Sequence, residues 1–239
     1  MKFRIKKYLR IFVFLIVLFF LHSILLTIIY RWVNPPITIT MVSRKVVFGY
    51  SIKHQWVKIK NINPVIKNCA VAAEDNHFLS HYGFDYKALK KALEERKKTG
   101  RIRGASTISQ QTAKNVFLWQ KQSYFRKILE LYFTFLIETF WSKERIMEVY
   151  LNVIEMGKGI YGIEAASNYY FGKSANKITQ YQAALIIVSL PSPLKFNPKQ
   201  PSTYLSNRAN DILLLSYKIG DIKFDKESIK KAKERAKKD

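Results

Sequence analysis

The chain has 239 residues, 41 basic against 17 acidic, and a formal net charge of +24. That length suits a short anchor and one domain with a real core, and the single cysteine, Cys69, excludes an intrachain disulfide and a cysteine-rich zinc site. So large a positive balance implies an anionic partner: nucleic acid, an anionic membrane surface or a phosphate-bearing substrate.

Residues 1–10 form a basic segment carrying Lys2, Arg4, Lys6, Lys7 and Arg10. Residues 11–30, "IFVFLIVLFFLHSILLTIIY", carry no formal charge. About 20 apolar residues in a helix cross the hydrocarbon core. The basic excess lies in front, which predicts a cytoplasmic N-terminus and a main domain on the outer face of the cytoplasmic (inner) membrane. No alanine precedes Ala70, so no A-x-A cleavage site follows the span, and an uncleaved single-pass anchor is the expectation. Nucleic acid is thereby excluded as a partner, and the charge reads as attraction to lipid headgroups or a lipid phosphate.

Residues 31–62 read as a linker with a small β element. Pro35 and Pro36 end the anchor helix, and "ITITMV" and "KVVFGY" predict one short hairpin from their β-branched residues. Helix signals then dominate over 63–220. Asn63-Pro64 reads as N-cap and first helical residue of a helix ending near Glu74. Asp85 caps a helix stopping near Gly100, followed by a basic loop, "ERKKTGRIRG". Thr107 with Gln110 forms a capping box opening a helix through Phe117. Ser123 opens a long helix and Ser142 restarts it. Gly157, Gly159 and Gly162 spell G-x-G-x-x-G, but a helical pattern precedes them, so they read as a glycine-rich turn rather than a nucleotide fingerprint. Thr179 with Gln182 opens a helix that Pro191 ends, and another covers Thr203–Lys218. Residues 221–239 are a basic tail, helical or frayed, whose ordinary reading is a solvated face. Without strand–helix alternation the fold class is mainly α.

Several residues carry chemistry. Glu74 and Asp75 sit at a helix C-terminus, where the macrodipole disfavours carboxylates. A carboxylate near apolar walls has a raised pKa and can act as general base or acid; the alternative is an exposed helix end. Glu130 lies on a helix apolar over most of its circumference, with Arg126 and Lys127 one turn back. A polar seam lining a cleft fits that better than a surface ion-pair cluster. "GASTISQQTAKN" places hydroxyls and amides at a helix start, where free N–H groups bind anions, with Lys114 further along. His77 and His81, at i and i+4 with Glu74 nearby, suggest zinc, but the zincin pattern puts Glu directly after the first His, and Gly83 suggests a turn.

Five segments in order resemble the monofunctional biosynthetic peptidoglycan glycosyltransferases, family 51, whose domain is shared with bifunctional penicillin-binding proteins. They are "EDNHFLSHYGFD", "GASTISQQTAKN", "RKILE", "KERIMEVYLN" with "GIYGIEAAS", and "AALIIVSLPSP", spanning Glu74 to Pro193. The resemblance implies a lysozyme-like, mainly α catalytic domain over 63–220 with a small membrane-proximal lobe. It implies polymerisation of lipid II and of a lipid-linked glycan chain into β-1,4 strands, with inversion and release of undecaprenyl pyrophosphate. By motif, Glu74 is the base and Glu130 the second catalytic carboxylate, near the donor pyrophosphate. Lys114, Arg126 and Lys127 match positions that hold the leaving group. Asp75, Phe78, His81, Ser106, Thr107, Gln110, Gln111, Asn115, Glu148 and Asn152 match substrate-binding segments. No cofactor is required on this reading; a divalent cation, Mg or Mn, near Glu130 is the one candidate. Gln122 stands where the family often has arginine, with Lys121 adjacent, and Lys cannot clamp a phosphate bidentately. No penicillin-binding segment follows, so a separate transpeptidase and other wall-synthesis proteins are the expected partners. Two rival readings are a lytic enzyme on the same fold, also using Glu74, and a non-catalytic membrane-anchored scaffold.

Overall fold

The computed structural model describes residues 2–100, 104 and 106–238. Of the basic loop expected at 95–104, Glu95–Thr99 are helical, Gly100 is a C-cap, and Arg101–Arg103 lie outside the described residues.

Helix α1, Lys2–Ile29, is continuous through the basic segment, and its Lys6–Ile29 portion is long and apolar enough to cross a membrane. Its first turns leave Phe12, Phe14 and Leu15 exposed, as a helix in contact with lipid would. Its last turns dock on the domain. Ser23 Oγ and Tyr132 OH lie 2.7 Å apart, and Trp141 Nε1 donates to the Thr27 carbonyl at 2.7 Å. Arg145 then collects the chain leaving the helix by donating to the carbonyls of Tyr30 and Val33.

The hairpin expected in 31–62 does not form. Ile39–Phe48 is helix α2: Thr38 Oγ1 accepts from Met41 N, and Gly49 closes the far end. Thr40 and Met41 are buried while Val46, Val47 and Phe48 are exposed, so one face packs against the domain. Caps at both ends and one-sided burial overrode the β-branched composition, which is only a weak prior. A two-residue strand, β1, forms instead at Lys53–His54, outside both segments, and a 3-10 turn follows at Ile59–Asn61.

Helix α3 spans Pro64–Glu74, capped by Asn63. It packs on α9 (Gln180–Val188) and α10 (Thr203–Ile219). Helix α9 is buried from Ala183 through Val188, which its unbroken apolar run allows. A second group is α5 (Ile108–Phe117) against α6 (Tyr124–Phe140) and α7 (Lys143–Val153). Stacking of Phe117 on Phe133, centroids 4.4 Å apart, fills the α5–α6 seam. Helix α4, Tyr86–Thr99, buries no residue and flanks the gap between the two groups. The capping boxes at Thr107–Gln110 and Thr179–Gln182 both form.

The glycine-rich turn is more structured than its sequence suggests. Strands β2 (Glu155–Gly157) and β3 (Ile160–Tyr161) pair antiparallel, and β3 pairs parallel with β1, giving the order β1-β3-β2. Gly162 opens α8, Ile163–Phe171, at φ 80°. A Cβ there would strike the Asn152 carbonyl, and one at Gly159 (φ 69°) the Ser51 carbonyl, so both glycines are fixed by close backbone approach. The tail forms α11, Lys226–Lys238, against the domain rather than fraying.

Candidate active site

Glu74 ends α3 and faces α5 across the gap between the two helix groups. Its Oε2 accepts from Gln111 Nε2 at 2.7 Å. Burial pushes its carboxyl above the ordinary carboxylate range; the Gln111 hydrogen bond and the charges of Arg208 and Lys114 pull the other way without cancelling it. An acid in this state holds a base of useful strength near neutrality.

Asp75 is buried at the wall of the hollow over Glu74. Its Oδ1 meets His81 Nε2 at 2.8 Å and its Oδ2 accepts from Ile108 N at 3.0 Å. A carboxylate at the first N–H of α5 complements that helix's dipole and ties α3 to α5. Both oxygens have partners within the protein, so Asp75 ties α3 to its neighbours. His77 pairs with Asp85 instead, Nδ1 to Oδ2 2.7 Å. The two histidines serve different carboxylates, which disposes of the shared zinc site.

Glu130 is 3% exposed on α6. Arg126 NH1 donates to its Oε2 at 2.7 Å, and Lys127 Nζ donates to its Oε1. Arg126 Nε is buried with no partner, an orphan donor beside an open cleft. Lys114 projects from α5 into the same cleft and has no ion-pair partner among the described residues. Burial holds its ammonium below the ordinary lysine range, with Glu130 opposing. The cleft, about 610 Å³, is lined by Gln111, Lys114, Arg126, Lys127 and Glu130. Ser106 lines it and also the hollow over Glu74, so the two adjoin, and Gln111 on the cleft wall holds Glu74. An apolar trough of about 580 Å³, walled by Phe84, Tyr86, Leu89, Leu93 and Leu131, opens at Ser106, Gln110 and Lys127.

The divalent cation considered near Glu130 does not fit this donor set. Both carboxylate oxygens face cations, and among the described residues no group of three His, Cys, Asp or Glu gathers there.

Other expected binding residues are placed elsewhere. Phe78 is fully buried under Lys143, whose Nζ lies 4.7 Å from the ring centroid, so it is core and cannot touch substrate. Thr107 and Gln110 are occupied as the capping box, although Gln110 also edges the cleft. Asn115 is buried, donating to the Gln111 carbonyl at 2.8 Å and accepting from Gln120 at 3.1 Å. Gln122 lines the cleft and Lys121 does not. Glu148 and Asn152 bind the chain's own backbone: Glu148 Oε2 accepts from Ile59 N at 2.9 Å, and Asn152 accepts from Val57 N (2.8 Å) and donates to Val57 O (2.9 Å). They hold the 55–61 segment. Asn152→Ala strands both polar groups of the partly buried Val57 backbone and is expected to cost about 1–3 kcal/mol in denaturant unfolding; a loss under about 0.5 kcal/mol would contradict this latch role.

Arg208 on α10, whose charge reaches Glu74, was not singled out from the sequence. It lies far along the chain in an ordinary amphipathic helix, and only the packing of α10 on α3 brings it near. Ser109, Glu138 and Lys143 form another unanticipated network, with Lys143 Nζ donating to Glu138 at 2.7 Å and Ser109 Oγ donating to the same carboxylate.

The family model described as Transglycosylase matches residues 42–216. Three relatives are each called a biosynthetic peptidoglycan transglycosylase. That of Bacteroides thetaiotaomicron is 51% identical over 216 residues, covering 88% of this chain and 87% of its own. That of Caulobacter vibrioides is 53% identical over 185 residues, covering 77% and 80%. That of Pseudomonas putida strain KT2440 is 50% identical over 192 residues, covering 78% and 81%. With its helical, lysozyme-like domain and its adjoining hollows beside α3, α5 and α6, this chain belongs to the transglycosylase family.

Proposed function

We propose that the chain is a peptidoglycan glycosyltransferase that polymerises lipid II into β-1,4-linked glycan strands, inverting the anomeric centre and releasing undecaprenyl pyrophosphate. One observation carries the reading: a half-buried carboxylate with a raised pKa is held by Gln111, which lines the cleft where a cluster of cations stands. Glu74 takes the proton of the acceptor 4-hydroxyl as its oxygen attacks the donor's anomeric carbon. The bond from that carbon to the diphosphate oxygen breaks, and the leaving group carries away the electron pair. Charge therefore develops on phosphate oxygens, where Lys114, Lys127 and the orphan Arg126 Nε stand as donors.

Glu130 acts through its partners: it holds Arg126 and Lys127 at the cleft and offsets their mutual repulsion. It is assigned as a positioning residue rather than a proton carrier. Gln111 orients Glu74, and Ser106 lies where the two halves of the cleft meet. The apolar trough beside Lys127 fits the first part of a prenyl chain. Helix α1 suits a single-pass anchor in the cytoplasmic membrane with its basic end inside, which keeps the cleft near lipid-bound substrate. A separate transpeptidase, which crosslinks the strands, is the partner class this activity calls for.

A lytic enzyme would need an acid beside a glycosidic oxygen and has no use for three cations around a leaving group. Purified chain in detergent is expected to lengthen lipid II into strands and to release no muropeptides from sacculi. Muropeptide release without polymer would overturn the proposal.

A further inference from the structure

Helix α11 lies beyond the residues shared with the family model. A lysine-rich segment of this length is not helical alone, so its docking decides its structure. Asp225 caps it, accepting from Ser228 N at 2.9 Å. Lys233 Nζ donates to Tyr82 OH at 2.7 Å and lies over that ring, and Lys87 Nζ donates to the Ala236 carbonyl at 2.7 Å. Ile229 and Ala232 pack against the core. So fixed, α11 walls a groove of about 370 Å³ with Lys231 and Arg235; Lys218 and Lys223 line it as well, and Asp221 is the one acid against these four cations. Asn76 and His77 line both this groove and the hollow over Glu74, so the two adjoin. Lys87 and Lys91 continue the basic lining toward Glu74.

The groove is lined by residues of α3, α10 and α11 and by none of α6. The strand's own diphosphate and prenyl chain belong at the α6 end, and its other sugars, which carry no lipid, lead away from that end. Those sugars are neutral; the strand's negative charges are the carboxylates of its peptide stems. We propose that the basic groove between α11 and Asn76–His77 binds stem-peptide carboxylates of the growing strand and keeps that strand on the enzyme between additions. This rests on the polymerase reading above. Lys231 is held ready by Glu227, 2.6 Å away on the same helix, an exposed pair that an incoming carboxylate can displace.

The test uses the full chain in neutral detergent, with lipid II carrying free or amidated stem carboxylates. Lys231→Gln/Arg235→Gln is expected to keep the initial rate and the helical circular dichroism of the parent. Its median product length on free-carboxylate lipid II should fall about two- to fivefold, to the length the parent makes from amidated lipid II. The variant should be indifferent to amidation, and Lys231→Arg/Arg235→Lys should restore length. Parent-length strands from the glutamine variant overturn the proposal. So does equal shortening on both substrates, or a defect confined to anionic vesicles, which would make α11 a lipid-surface contact. A parent that makes no polymer at all overturns the polymerase reading and this proposal with it; polymer that ignores the variant overturns only this one.

Discussion

Glu74→Gln is expected to lower the rate of lipid II polymerisation by about 10²–10⁴, the range a general base supplies, while leaving the helical fold unchanged. The substitution keeps shape and the hydrogen bond with Gln111 and removes only the ability to take a proton. In the parent, activity should rise with pH through the raised Glu74 pKa and fall as Lys114 deprotonates below the ordinary lysine range. The glutamine variant should lose the acid limb. Stability should move the other way. A carboxyl whose folded pKa is raised binds protons more tightly folded than unfolded. Its contribution is therefore full below the unfolded pKa and is lost as pH rises through the folded one. At neutral pH the ionised Glu74 burdens the fold, and Glu74→Gln should melt no lower than the parent. Polymerisation at the parental rate, measured by gel separation of labelled strands, would remove Glu74 from the role of base.

The second large effect is expected at Lys114. Arg126 and Lys127 are already paired with Glu130, whereas Lys114 meets the cleft without an ion-pair partner among the described residues. A buried ammonium in that state gains most when an anion arrives, and gains further as the leaving diphosphate takes on charge. Lys114→Met should lower kcat by about 10²–10³, the cost of removing one preorganised group from developing charge. KM should change much less, because the interaction strengthens in the transition state. A variant with unchanged kcat and raised KM would make Lys114 a binding residue only. Lys114→Met should also remove the alkaline limb of the pH profile.

Much of this was legible because local chemistry decided it. Asn63-Pro64, the two Thr–Gln capping boxes, and Ser123 and Ser142 each satisfy orphan N–H groups within a few residues, so the helices they open begin where the pattern says. Glu130 with Arg126 and Lys127 was readable for the same reason: residues three and four apart on a helix meet. Segment 39–48 was misread, and the strands flanking the turn at Lys158–Gly159 were missed, because their outcome depends on distant partners. Helix α2 forms where one face is buried against the domain, and β3 forms because β1, more than a hundred residues earlier, lies beside it.

Within the site the division is similar. The motif positions of Glu74, Lys114 and Gln111 could be named from their order, but not that Asp75, one residue on, would be consumed in capping α5. Nor could Phe78 be told from a substrate contact, since an aromatic beside polar residues suits core and cleft alike until burial is known.

By itself, then, the order of residues determined the long apolar N-terminal helix, the starts of the long helices and the cation pair around Glu130, since each follows from neighbours within about a turn or from continuous apolarity. Only the packed structure decided which carboxylate faces the cleft, that Arg208 reaches it, that Glu148 and Asn152 hold backbone, and that the basic tail becomes a groove wall. Those outcomes depend on contacts between segments far apart in the chain, whose geometry exists only once the core has brought α3, α5, α6 and α10 together.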